Sequence, residues 1–331
     1  MSQSATRIQL AKLLALIGGV TTLVVSSTAF SQAWPVKPVR FILPNSAGSS
    51  PDVLARFAAE RFEKSLGQPF VVENRPGANF LIAAEAIRSA APNGYTVGLG
   101  SATLASITPH LYKSLPYDPD RDFEYIGVLA DTLWGFFGVN ASVPARNMQE
   151  FIDWARKNPG KFSVGASVPS NGMWTLWVMK RLGIQVVVVD YKNAGQAIQD
   201  LVGGHVHATT NTFSGYESFL KDGRVRALTG LTDARSPEYP NLPPITDFAP
   251  GAVYDSWLGI IAPKGVPDAM VQRLNREMEI LVREPEFGRR ALAAGWSNRG
   301  GAKTPKVIAE LNRVYRDKWG EIIREAGVKP E

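Results

Sequence analysis

The sequence has no cysteine in 331 residues and only three histidines, His110, His205 and His207. The first absence excludes a disulfide scaffold, thiolate chemistry and a cysteine-ligated metal cluster. The second leaves little for general acid–base chemistry. His205 and His207 stand at strand spacing, but no third ligand accompanies them, so a surface or cleft-lining role is expected rather than a metal site. Charge of one sign is only in mild excess, 36 Lys+Arg against 30 Asp+Glu. The basic residues form no run interleaved with aromatics that could track a phosphate backbone, so nucleic acid is not expected as a partner. Also missing are a G-x-G-x-x-G turn, a P-loop, an H-E-x-x-H helix, an EF-hand loop and a G-x-S-x-G elbow. No cofactor, metal or catalytic constellation is expected.

Long apolar runs are nearly absent as well. Leu13 to Val25, preceded by Arg7 and Lys12, is shorter than the ~20 residues a membrane span needs, and it ends in small residues at Ser31-Gln32-Ala33. This pattern is expected of a secretory signal peptide over residues 1–33, cut after Ala33, with a soluble chain outside the cytoplasm from Trp34 on.

What remains is a chain that is 45% apolar and long enough for two domains. Short β-branched and aromatic runs alternate with stretches of 3.6 periodicity, which predicts an α/β fold with mixed, mostly parallel sheets flanked by helices. Ten strands are expected, the clearest at Val39 to Leu43, Phe70 to Glu73, Tyr95 to Leu99, Phe123 to Leu129, Trp134 to Val139 and Ile184 to Asp190. A helix is expected over Pro51 to Leu66, capped by Ser50 and stopped by Gly67. Another starts at Asn147, where Glu150 three residues on suggests a capping box. The C-terminal third reads as long helices at Pro267 to Val282, after Pro285, and from Pro305 to about Arg324. No internal repeat is visible.

Two loops carry the functional signal. In Phe41 to Asp52 a strand, a tight loop and a helix start follow one another, so peptide N–H groups and the helix dipole can hold an anion. Gly165 to Gly172 does the same before a helix expected near Met173, adding the Ser167 and Ser170 hydroxyls and the Asn171 amide. Any βα unit has such a loop, and Asp52 can simply complete a helix N-terminus; two of them far apart nevertheless suggest a ligand pinched between lobes. Trp134, Trp174, Trp177, Phe213, Tyr216 and Trp257 fall near strand ends and helix starts, where they are either core or a stacking surface for a planar or apolar ligand.

Taken in order, Trp34-Pro-Val-Lys-Pro-Val-Arg-Phe-Ile-Leu-Pro, Gly48-x-x-x-Asp52, Val72-Glu-Asn-Arg-Pro-Gly77, Ala91-Pro-Asn-Gly-Tyr95, Tyr117-Asp-Pro-x-x-Asp122-Phe, Asp190-Tyr-Lys, Asp200-Leu-Val-Gly-Gly204 and Trp257-x-Gly-x-x-Ala-Pro263 resemble the periplasmic receptors of tripartite tricarboxylate transporters, the Bug-type proteins. The resemblance covers the whole chain after the leader. It implies a two-lobed, hinged Venus-flytrap fold that closes on a small carboxylate and delivers it, as a monomer, to membrane permease subunits. Lobe 1 is then 34–131 plus 255–331 and lobe 2 is 132–254, with the hinge near Asp131-Thr132 and Ala252 to Asp255. By position, the implied ligand-binding residues are Asn45, Ser46, Ala47, Gly48, Asp52, Ser101 and Ala102 from lobe 1. Lobe 2 is to supply Ala166, Ser167, Ser170, Asn171, Gly172, Trp174, Asn211, Thr212, Phe213 and the following Ser214. The family usually has Gly where this chain has Val168 and Ser170, often a His at Trp174, and often acids at His207 and Asn211. These departures suggest an anion with a bulky or aromatic body. Alternative readings are a receptor that signals to a two-component sensor, and a secreted hydrolase, for which no nucleophile and base are in evidence.

Overall fold

Short strands and amphipathic helices alternate to build two five-stranded sheets. A computed structural model describes residues 34–191, 194–254 and 256–330; the expected leader, 1–33, lies outside them. By its contacts the chain divides into a unit ending at Val36 and the unit Lys37–Glu331, which carries all that follows.

The order is β1 (Val39–Leu43), α1 (Ser50–Leu66), β2 (Phe70–Asn74), α2 (Leu81–Arg88), β3 (Thr96–Ser101) and β4 (Phe123–Ala130). After β5 (Thr132–Leu133) come β6 (Gly135–Asn140), α3 (Met148–Lys157), β7 (Ser163–Ala166), α4 (Pro169–Arg181) and β8 (Val187–Asp190). Then follow α5 (Ala194–Val202), β9 (Ala208–Thr212), α6 (Glu217–Lys221) and β10 (Val225–Gly230). The chain ends with β11 (Leu258–Pro263), α7 (Asp268–Val282), α8 (Pro285–Ala293), β12 (Trp296–Ser297) and α9 (Pro305–Ala326).

The first sheet has the order β2-β1-β3-β11-β4 and the second β10-β6-β9-β7-β8. In the first, β1 is parallel to β2 and β3, and β11 is antiparallel to β3 and β4. In the second, β7 is parallel to β8 and β9, and β6 is antiparallel to β9 and β10. Four strands of each sheet therefore run one way, and the single reversed strand sits between the third and the fourth. β7, β8, β9, β6 and β10 repeat the places of β1, β2, β3, β11 and β4. This repeat is one of topology, invisible as sequence similarity. The chain crosses from the first sheet to the second between β4 and β6 and returns between β10 and β11, so the ends of β1 and β7 open onto the same region.

Local chemistry explains the helix boundaries. Gly67 ends α1 at φ 76°, a left-handed conformation that costs glycine little. Half of the expected capping box is present: Asn147 Oδ1 accepts from Glu150 N–H at 2.9 Å, whereas the Glu150 carboxylate accepts from Arg146 N–H, one residue before the cap, at 2.7 Å. Three expectations need correction. Ser50 does not cap α1; its hydroxyl donates to the Ala294 carbonyl, and Ser49 occupies the cap position. The strand expected from Ile184 begins only at Val187, because Ile184 N–H closes a turn onto Met179 O. The helix expected near Met173 starts at Pro169, which suits the first helical position because it has no N–H to satisfy.

Candidate functional site

The loop after β1 is held from inside. Asp52, in the first turn of α1, is 2% exposed and accepts hydrogen bonds from Gly48 N–H at 2.8 Å, Arg56 Nε at 3.0 Å and Asn74 Nδ2 at 2.7 Å. Asn74, at the end of β2, also donates to Asn45 O at 2.9 Å and so ties the neighbouring strand to the loop. Burial pushes the Asp52 carboxyl's pKa upward, but the hydrogen bonds from Arg56, Asn74 and Gly48 together outweigh it and hold the group below its usual range. The N–H groups of Ser46 and Ala47 have no partner among the described residues. The loop thus presents donors, and its one carboxylate is spent on shaping it.

The second sheet offers the equivalent place after β7. Because α4 starts at Pro169, which has no N–H, Ser170, Asn171 and Gly172 form its first turn, and the Asn171 N–H closes onto Val168 O at 3.1 Å. Asn171 Nδ2 donates to Thr210 O at 2.8 Å, and Thr175 Oγ1 donates to Asn171 O at 2.7 Å. The Tyr254 hydroxyl, on the return crossover, lies 2.8 Å from both Ser170 Oγ and Asn171 Oδ1. Burial raises the Tyr254 phenol well above its ordinary pKa, so it keeps the proton that one of these bonds needs.

Both loops open on a single cleft of about 1400 Å³. Of the expected residues, Asn45, Ser46, Ala47, Gly48, Ser101, Ala166, Ser167, Ser170, Asn171, Gly172, Asn211 and Thr212 line it, as does Ser214. Asp52, Ala102, Trp174 and Phe213 do not. Asp52 is turned into the loop, and Ala102 is wholly buried. Trp174 is 0% exposed and packs edge-on to Tyr254, with ring centroids 5.8 Å apart. Phe213 is sandwiched between Phe136 and Tyr239 in the core. His207 is also elsewhere: its Nδ1 lies 2.8 Å from Ser163 Oγ, and its ring packs on Trp154 and Phe162. The only charged side chains lining the cleft among the described residues are Asp190 and Lys329, both exposed. Recognition here falls to N–H groups, hydroxyls and apolar surface.

Several lining residues escape sequence reasoning. Gly77 to Phe80, after β2, follows no strand-to-helix pattern, yet it forms part of the wall. Ala78, Asn79 and Phe80 have φ of 46°, 50° and 76°, a left-handed run that costs roughly 1 kcal/mol or more per non-glycine residue. Tertiary contacts hold it: Asn79 Nδ2 donates to the Tyr112 hydroxyl at 2.8 Å, and Phe80 packs against the core around Ile42 and Ile87. Tyr191, just after β8, donates its hydroxyl to Asp200 at 2.7 Å. Burial, with that hydrogen bond, pushes its pKa up to about 12. Trp296 in β12 donates to Ser50 Oγ at 2.9 Å across 246 residues of sequence. A run of aromatic or Asn residues beside a glycine was the only signal for the first segment, and β12 has none.

The family model for the tripartite tricarboxylate transporter family receptor matches residues 54–328. A UPF0065 protein of Bordetella bronchiseptica is 30% identical over 302 residues, covering 91% of this chain and 89% of that one. Among solved structures, R. palustris Rpa4515 with adipate superposes with a TM-score of 0.84 at 27% identity, over 90% of this chain and 100% of the other. The periplasmic binding protein BugD does so with a TM-score of 0.80 at 27% identity, over 90% and 100%. Two sheets repeating one topology around a single donor-rich cleft, together with these matches, identify a periplasmic solute-binding protein rather than an enzyme, and the chain belongs to the tripartite tricarboxylate transporter receptor family.

Proposed function

We propose that the cleft between the two sheets binds a small carboxylate and closes on it, and that the closed form docks on the permease subunits of a tripartite transporter. The observation that carries this reading is the meeting of two strand-to-helix loops, Asn45 to Ser49 and Ala166 to Gly172, on one cleft whose lining includes the free N–H groups of Ser46 and Ala47. A carboxylate can take hydrogen bonds from such N–H groups and from the Ser167 and Ser170 hydroxyls without a buried counter-ion. The adipate bound to Rpa4515 supports the ligand class. The lobes are 34–131 plus 255–331 and 132–254, which keeps each sheet's parallel strands in one lobe and makes the two crossovers the hinge. Asp255 itself lies outside the described residues. The receptor works as a monomer, exported with cleavage after Ala33.

A cleft of about 1400 Å³ exceeds the ~300–1,000 Å³ that encloses a small ligand, which fits an open state awaiting closure. A thermal-shift screen of the mature protein against aliphatic dicarboxylates, amino acids and aromatic carboxylates tests the reading. At 100 times its dissociation constant a ligand should stabilise the fold by about 2.7 kcal/mol. A shift with carboxylates is expected, and silence across all of them would sink the proposal. Sequencing the N-terminus of the exported protein checks for a start at Trp34.

A further inference from the structure

We infer that Phe80 and Tyr191 are the specificity-determining residues of this cleft, a pair of rings, one from each sheet, that selects a carboxylate with a flat aromatic body. The inference rests on the carboxylate reading above and goes on to name the body of the ligand. Five aromatic side chains line the cleft among the described residues: Phe80, Tyr191, Tyr216, Tyr254 and Trp296. Tyr216, Tyr254 and Trp296 are at most 5% exposed, whereas Phe80 and Tyr191 are half-buried and have ring surface left to offer.

Both rings come from the chain that leaves an edge strand: Phe80 lies six residues after the end of β2 and Tyr191 directly after β8, and β2 and β8 hold the same edge position in the repeated topology. Each ring is also fixed before any ligand arrives. Phe80 sits at φ 76° at the end of the left-handed run and packs against the core beneath it. Tyr191 is fastened at both ends, by its N–H to Ala166 O at 2.8 Å and by its hydroxyl to Asp200 at 2.7 Å. Its ring lies over Gly165, where an added Cβ would come within 3.1 Å of Tyr191 Cε2. With its hydroxyl engaged away at Asp200, Tyr191 offers the cleft a ring rather than a hydrogen bond. Pre-set rings lose little conformational freedom on binding, and aromatic pairs gain beyond their buried area. A flexible aliphatic chain gains less from them.

The test is calorimetric titration of the mature protein with benzoate and with adipate, for the wild type, Phe80→Leu, Tyr191→Leu and Tyr191→Phe. Leucine keeps apolar bulk and removes the ring; phenylalanine keeps the ring and removes the tether to Asp200. The expected result is tighter binding of benzoate than of adipate by the wild type. Each leucine variant should lose benzoate affinity about tenfold while its adipate affinity stays within about threefold, and Tyr191→Phe should bind benzoate nearly as the wild type does. Adipate binding without benzoate binding, or benzoate binding untouched by both leucine variants, overturns the ring pair and leaves the carboxylate reading standing. An equal loss of both ligands also overturns it, since that marks general damage to the cleft. A wild type that binds neither benzoate nor adipate overturns the ring pair, and the thermal-shift screen then decides the carboxylate reading separately.

Discussion

Asp52 shows how one side chain can matter to a binding site without lining it. It is 2% exposed and serves three donors, so Asp52→Ala leaves the Gly48 N–H and the Asn74 amide short of an acceptor. Hydrogen bonds to a charged group contribute ~1.5–3 kcal/mol, and we expect urea denaturation to read about 2 kcal/mol of lost stability together with weaker ligand binding. The carboxyl's pKa is lower in the folded protein than the unfolded value near 3.9. Its contribution is therefore complete above about pH 4 and is lost as the pH falls through the depressed folded value. Urea midpoints measured from about pH 6 down to about pH 2 should fall more steeply for the wild type than for Asp52→Asn; parallel curves would show that Asp52 does not drive the acid limb. Tyr254→Phe is a second probe at this scale. It removes the hydroxyl that meets Ser170 and Asn171, and we expect a loss of about 1 kcal/mol in stability and a several-fold loss in affinity, read by calorimetry.

Among the elements, α9 carries an interior glycine whose role its propensity would not suggest. Gly320 is buried, and a Cβ there would come 2.8 Å from His110 Cε1. The His110 ring has little room to yield, because its Nε2 lies 2.9 Å from Arg316 O on the same helix. Alanine is better than glycine in a helix by about 1 kcal/mol, but overpacking costs ~1–3 kcal/mol. Gly320→Ala should therefore lower the melting temperature, and a rise would mean that the His110 ring moves freely. Helix α9 also reaches the other sheet's elements: Glu325 accepts from Trp177 Nε1 at 2.7 Å, and Trp319 packs on Tyr254, with centroids 5.7 Å apart. The periodicity of α9 was plain in the sequence, but its contact with α4 was not, since an apolar stripe does not name what it packs against.

For the molecule as a whole, two sheets of one topology are joined by two crossovers, the arrangement that permits hinge closure. Small-angle X-ray scattering should show a smaller radius of gyration at saturating ligand than in the free protein. An unchanged radius on a protein that demonstrably binds would mean that the cleft works without closing. The short β5–β12 pairing and the ion pair between Lys303 and Asp131 at 2.7 Å bind the first crossover to the C-terminal region. Under the proposed closure, the chain is expected to bend beside this clasp rather than through it.

The sequence alone determined the α/β class and the two donor-bearing loops after β1 and β7. These rest on local chemistry: strand periodicity, and a proline and small polar residues at a helix start. Tertiary structure decided which side chains face the cleft. Trp174, one turn into α4, reads as a cleft residue but is sealed against Tyr254, a partner far away in sequence. Phe80, with no motif to recommend it, is brought to the wall by a left-handed backbone that only its packed surroundings sustain. Exposure belongs to a residue's distant neighbours, and those are settled only when β2 and β8 take their edge positions around one cleft.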